Sequence, residues 1–136
     1  MPAHVIYQRV DRQLAGFSPV WLQEVLRRRL DFQGVIFSDD LSMAAAEEAG
    51  GYPERAAAAL AAGCDMVLIC NNRTGALAVL NSLQDYTDPA AHVRMMRMHG
   101  RGHITRESLH LDPRWAQAVE ALMMVTDDPT FELNLE

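Results

Sequence analysis

Two adjacent carboxylates, Asp39 and Asp40, are the residues of this chain best suited by type and spacing to do chemistry. They close the run Gly34-Val35-Ile36-Phe37-Ser38-Asp39-Asp40, in which three large apolar residues lead into a serine and two acids. A carboxylate at such a point can attack as a nucleophile, accept a phosphoryl group, or cap the helix that follows. If extended geometry persists through the pair, the two side chains leave in roughly opposite directions, so only one aims into a site.

The element that must present them is a strand. Val35, Ile36 and Phe37 show no polar alternation, the pattern of a strand buried on both faces of a parallel sheet. Polar residues at the C-terminal end of such a strand fall on the face where α/β folds place their sites. Upstream, Ser18-Pro19 predicts a helix start, with Ser18 capping free N–H groups and Pro19 supplying a preset φ. Trp21 and Val25, and Leu22, Leu26 and Leu30, are spaced four apart and predict a stripe packed on the sheet. Arg27-Arg28-Arg29 then falls in the last turn, where a solvated helix end is expected rather than a phosphate site.

Downstream, Ser42 is expected to cap a short helix over 44–48, which Gly50-Gly51 stops. Pro53 restarts a helix that runs to 62 and ends at Gly63. Cys64-Asp65-Met66-Val67-Leu68-Ile69-Cys70 reads as the next buried strand and ends in the polar Asn71-Asn72-Arg73. A helix over 76–83 follows, with Ala76, Leu77, Val79, Leu80 and Leu83 inward. At the other end, His4-Val5-Ile6-Tyr7 reads as the close of a strand whose beginning is expected in sequence further upstream, and His4 is a candidate for lining a site. Strand and helix alternate three times in units of roughly 30 residues, the βα repeat of a parallel sheet or barrel.

From Asp85 the pattern changes. Asp88-Pro89 marks a turn, and a short helix over 92–99 is expected to carry Val93, Met95 and Met96 on its apolar face. Pro113 opens a last helix with Trp115, Val119, Leu122 and Met123 inward. The reading divides the chain into βα units (1–84), closing helices (85–126) and an acidic tail (127–136), the tail expected to be mobile.

Composition narrows the functional classes. The 136 residues make one domain or part of a larger one, and 49% apolar content suffices for a packed core. A net charge of −6 with no basic stripe argues against nucleic acid as a partner. All twelve basic residues are arginine, which excludes a P-loop or Schiff-base lysine within the chain. No apolar run approaches the about 18 residues of a membrane span, and no signal-peptide pattern is present, so the cytoplasm is the expected compartment. Cys64 and Cys70 bracket one strand, about 20 Å apart if extended, and are expected to be reduced thiols. His92, His99, His103 and His110 lack metal-site spacing, so no metal and no cofactor are expected.

With these parts in place, the chain resembles a known family over nearly its whole length. The matching segments are Ala3-His4-Val5-Ile6-Tyr7, Phe17-Ser18-Pro19-Val20-Trp21-Leu22 and the run Phe32 to Met43 that contains Phe37-Ser38-Asp39-Asp40-Leu41-Ser42-Met43. They continue with Ala61-Ala62-Gly63-Cys64-Asp65-Met66, Cys70-Asn71-Asn72-Arg73 and Pro113-Arg114-Trp115. Together they are similar to the C-terminal part of the bacterial β-N-acetylhexosaminidases of glycoside hydrolase family three, cytoplasmic enzymes of peptidoglycan recycling. The resemblance implies an α/β fold, the last three βα units and closing helices of a TIM-type (β/α)8 barrel. It assigns Asp39 as nucleophile, Asp40 as a positioning or capping partner, and His4 to the rim of the sugar pocket. It also implies a GlcNAc-containing muropeptide as substrate.

Family members use an upstream loop His, oriented by an Asp, as general acid/base, and hold the sugar through upstream Asp, Arg and Lys-His residues. None of these lies in this chain, and with no lysine the Lys-His pair has no substitute here. Gln8 and Asp31 stand where the family commonly has Pro and Gly. The resemblance therefore implies a nucleophile without its acid partner, an isolated chain of negligible activity, and a need for the upstream half of the barrel. Two other readings remain open at this point. A receiver-like phospho-accepting module also places acids at the end of a buried strand, and a non-enzymatic remnant or interaction scaffold would need no acid partner.

Overall fold

The computed structural model describes residues 1–100, 102 and 104–125. These residues fall into two compact units, Met1–His99 and the residues from Gly100 onward. The first unit contains a 3₁₀ turn (Ala15–Phe17), a helix (Val20–Arg29), β1 (Phe37–Asp40), a second 3₁₀ turn (Ala44–Ala49), α1 (Tyr52–Ala62), β2 (Met66–Leu68), α2 (Arg73–Ser82) and α3 (Pro89–Met96). The second contains α4 (Arg106–Leu111) and α5 (Pro113–Met123).

β1 and β2 pair in parallel as a two-stranded sheet with α1 as the crossover, so the fold is α/β built on one βαβ unit. The alanines of α1 explain its close seat. Ala56, Ala59 and Ala62 are all buried and pack with Leu22, Ile36, Leu41 and Val79 into one core. A larger side chain at any of the three would push the helix off the sheet. Gly63 ends α1 with φ of 121°, a conformation open to glycine at little cost. The Val20–Arg29 helix begins where Ser18 predicts, and the Ser18 hydroxyl accepts the Trp21 N–H at 3.2 Å. It is wider than an α-helix, of the π type, and closes with the Leu30 N–H on the Val25 carbonyl, five residues back.

Several expectations are corrected. His4 to Tyr7 forms no strand. Ile6 makes a single antiparallel bridge to Leu14, and the Val5 carbonyl accepts the Ala15 N–H, so this segment pairs with the chain returning on itself. The described residues therefore hold two parallel strands, not three. Cover on β1 is uneven along the strand. Ile36 and Ser38 are buried, while Val35, Phe37 and Asp39 are half-buried.

Several residues predicted to face inward are exposed. Leu30 on the first helix, Leu77 and Leu80 on α2, and Val93 and Met96 on α3 are exposed. On α5, Trp115, Leu122 and Met123 are exposed although the helix forms where its pattern predicts. The periodicity located these helices correctly but not the faces that find a partner. α4, capped by Thr105, was not anticipated. His103 and the expected tail, 127–136, lie outside the described residues.

Candidate active site

The pairing of β1 with β2 carries an irregularity that decides where the two acids point. Phe37 pairs with Met66 and Asp40 with Leu68, so three steps along β1 match two along β2. The extra residue makes a β-bulge, a device that breaks strict side-chain alternation and re-aims a side chain. Ser38 makes the bulge tolerable. Its buried hydroxyl accepts the Leu68 N–H at 2.9 Å, replacing the carbonyl that the ladder loses there.

Asp40 is held at almost every polar atom. Its Oδ1 accepts the N–H of Ser42 at 2.9 Å and of Cys70 at 3.0 Å, and the Ser42 hydroxyl lies 2.7 and 2.6 Å from the two carboxylate oxygens. Its carbonyl faces His4 Nε2 at 3.1 Å and accepts the Met43 N–H at 3.1 Å. Burial pushes the Asp40 carboxyl up, but hydrogen bonds from Ser42 and Cys70 outweigh it and hold the group below the ordinary carboxylate value. Asp40 thus joins the loop after β1 to the loop after β2. Ser42, expected to cap the next helix, is engaged in this clasp instead, and Met43 stands at the cap position without a side-chain bond.

Asp39 differs. Oδ1 accepts the Asp40 N–H at 2.9 Å, and among the described residues Oδ2 accepts no hydrogen bond. The side chain is half-buried at the C-terminal end of the sheet. One oxygen is oriented by the backbone while the other is free to attack an electrophile. The two acids have therefore separated into a fixed anchor and an available carboxylate.

His4 is brought to this end of the sheet but is buried, its ring 5.3 Å from that of Phe17, and it faces the Asp40 carbonyl. Sequence reasoning missed Arg55, which lies buried on α1 and donates to the Leu41 and Gly50 carbonyls at 2.7 Å each. It also missed Asp65 as a hub at the opposite end of the sheet, and read Arg27 as a solvated helix end. Arg27 instead reaches Asp65 at 2.6 Å and the carbonyls of Phe32 and Gly34 at 2.9 and 2.6 Å, because the helix end packs against the turn into β1. Arg28, paired only with Glu24 at the surface, does fit a solvated helix end.

The match to known proteins is direct. The glycosyl hydrolase family 3 N-terminal domain matches residues 1–117. The chain belongs to this family. A β-hexosaminidase of Thioalkalivibrio sulfidiphilus is 52% identical over 135 residues, 99% of this chain and 39% of that protein. A β-hexosaminidase of Hydrogenovibrio crunogenus is 53% identical over 115 residues, 85% of this chain and 32% of that protein. Among solved structures, NagZ from Neisseria gonorrhoeae in complex with N-trifluoroacetyl-D-glucosamine is 38% identical with a TM-score of 0.67. The match covers 90% of this chain and 34% of that one. The chain thus spans 32–39% of the length of these relatives. Family 3 membership leaves no place for the receiver-like alternative. Among the described residues no group of three potential ligands converges as a metal site.

Proposed function

We propose that this family 3 chain carries the nucleophile of a retaining β-N-acetylhexosaminidase, as part of a TIM-type barrel whose other strands supply the remaining catalytic residues. Asp39 attacks the anomeric carbon through Oδ2 and forms a covalent glycosyl-enzyme as the glycosidic C–O bond breaks, the leaving oxygen taking its proton from an acid supplied by the rest of the barrel. Water then hydrolyses this intermediate with net retention. Asp40 does not touch the sugar. Its carboxylate is consumed by Ser42 and Cys70, and its role is to hold the turn that presents Asp39. The substrate is a small saccharide, a GlcNAc-containing muropeptide handled in the cytoplasm.

The observation that carries this reading is the contrast between the neighbouring acids: Asp39 keeps a free oxygen and Asp40 does not. Support for the substrate class comes from the relatives, which are named β-hexosaminidase, and from the neighbouring NagZ structure, which binds an N-acylglucosamine. A nucleophile without a proton donor leaves the departing oxygen unprotonated, and general acid help is worth about 10²–10⁴ in rate. The isolated chain is therefore expected to turn over β-GlcNAc substrates negligibly.

Two measurements with an aryl β-N-acetylglucosaminide test the reading. The isolated chain gives no turnover above that of its Asp39→Asn variant; turnover that Asp39→Asn abolishes would show that the chain needs no further barrel strands. In a full-length enzyme carrying this sequence, Asp39→Asn removes activity and Asp40→Asn lowers it less. The reverse ranking would reject the assignment of Asp39.

A further inference from the structure

We propose that His4 is a positioning residue for Asp39, acting through the main chain of Asp40 rather than on substrate. The inference rests on the reading of Asp39 as the nucleophile. His4 Nε2 lies 3.1 Å from the Asp40 carbonyl oxygen, which has no proton to give, so the ring must donate. That places a hydrogen on Nε2. Nδ1 is buried without a partner. It faces the backbone at Gly16, where an added Cβ would lie 3.6 Å away.

An imidazole with one nitrogen on a carbonyl and the other sealed inside the fold has no polar atom left for a sugar hydroxyl. A buried polar atom without a partner is disfavoured, so packing alone does not account for a histidine here. A phenylalanine would fill the same space against Phe17 without an orphaned atom. What the histidine adds is the Nε2–H bond. The Asp40 carbonyl also accepts the Met43 N–H, and the Asp40 N–H donates to Asp39 Oδ1 at 2.9 Å. The Asp40 carbonyl and N–H lie in the two peptide planes that meet at its Cα, so holding the carbonyl restrains the residue whose N–H aims the Asp39 carboxylate. His4 therefore reaches the nucleophile in two hydrogen bonds.

The test uses the full chain and reads spectroscopic signals rather than activity. In chain labelled with ¹⁵N-histidine, long-range proton–nitrogen correlation at pH 7 shows His4 as a single tautomer, protonated at Nε2. The exposed His92, His99 and His110 average between tautomers. A His4 ring protonated at Nδ1, or averaging like the others, overturns the proposal. With ¹³C-labelled aspartate carboxyls, His4→Phe shifts the Asp39 and Asp40 signals while the methyl signals of Leu22 and Leu41 stay in place. His4→Gln, which retains an N–H donor, moves the two carboxyl signals back toward their original positions. Unmoved carboxyl signals in a folded His4→Phe chain also overturn it. If neither variant folds, the tautomer in the unsubstituted chain decides. The nucleophile reading stands or falls separately on Asp39-dependent turnover, so a wrong tautomer would reject the role of His4 alone.

Discussion

Asp65 and Arg27 form a buried ion pair across 38 positions of sequence, with Arg27 Nη2 and Asp65 Oδ2 2.6 Å apart. Asp65 stands just before β2 and its side chain is only 1% exposed. Its second oxygen binds Arg94 of α3 at 2.5 Å, and its first also accepts the Ile36 N–H at 2.7 Å. One carboxylate thus joins the first helix, the start of both strands and α3, at the end of the sheet opposite Asp39. This end ties the elements together, while the proposed nucleophile lies at the other.

Removing Asp65 should be the most damaging single polar change in the first unit. Asp65→Ala leaves two arginines facing an uncompensated site and orphans the Ile36 N–H. A buried pair broken from one side costs about 3–5 kcal/mol. Urea denaturation should show a loss of this size, while Arg28→Ala, at an exposed pair with Glu24, should change stability by less than about 0.5 kcal/mol.

Ser38→Ala probes the bulge. The half-buried Leu68 N–H would lose its replacement acceptor, at an expected cost of about 1 kcal/mol. Ser38→Thr retains the hydroxyl and should recover part of the loss. Chemical denaturation gives the stability, and faster amide exchange at Leu68 in Ser38→Ala would locate the effect.

Acid should loosen the Asp40 clasp. Although burial pushes the Asp40 carboxyl up, the bonds from Ser42 and Cys70 prevail, and the folded pKa lies below the unfolded one. The stabilisation is therefore present above the ordinary carboxylate value of about 4 and is lost as pH falls through the lower folded value. Asp40→Asn should flatten the stability profile in that acid range. A profile identical to that of the unsubstituted chain would refute the contribution of Asp40.

The cysteines should behave as two distinct thiols. Cys64 is buried, and burial followed by the charge of Asp65 raises its pKa from 9.0 to about 11. Because the folded state favours the thiol, that contribution to stability is intact below pH 9 and disappears as pH rises toward 11. Cys70 is exposed and is also raised, by desolvation first and then by the charges of Asp40 and Asp39. A thiol reagent should label one cysteine in the folded chain and two in denaturant. Cys64→Ala should reduce the alkaline loss of stability, leaving the part due to Tyr86, which burial also raises.

Local chemistry made much of this protein readable without coordinates. Ser18, Pro53, Gly63 and Pro113 mark helix ends because capping and φ preferences act over a few residues, and those ends lie within a residue or two of their expected places. The apolar run before Ser38 located the strand, and the motif around Asp39 located the family. Burial was harder to read. A stripe such as Leu77 and Leu80 states that a helix has an apolar face, not which element covers it.

Tertiary structure alone decided the rest. Asp39 and Asp40 are identical in type and adjacent in sequence, and nothing local separates them. Their difference arises because β2 brings the Cys70 N–H to Asp40, and because a bulge filled by Ser38 breaks the alternation of β1. Arg27 and Asp65 meet for the same reason: partners 38 positions apart are chosen by how helix and sheet pack. The sequence by itself determined which residues can carry charge and where the chain must turn. Only the fold determined which carboxylate is held and which is free, because that depends on donors supplied from elsewhere in the chain.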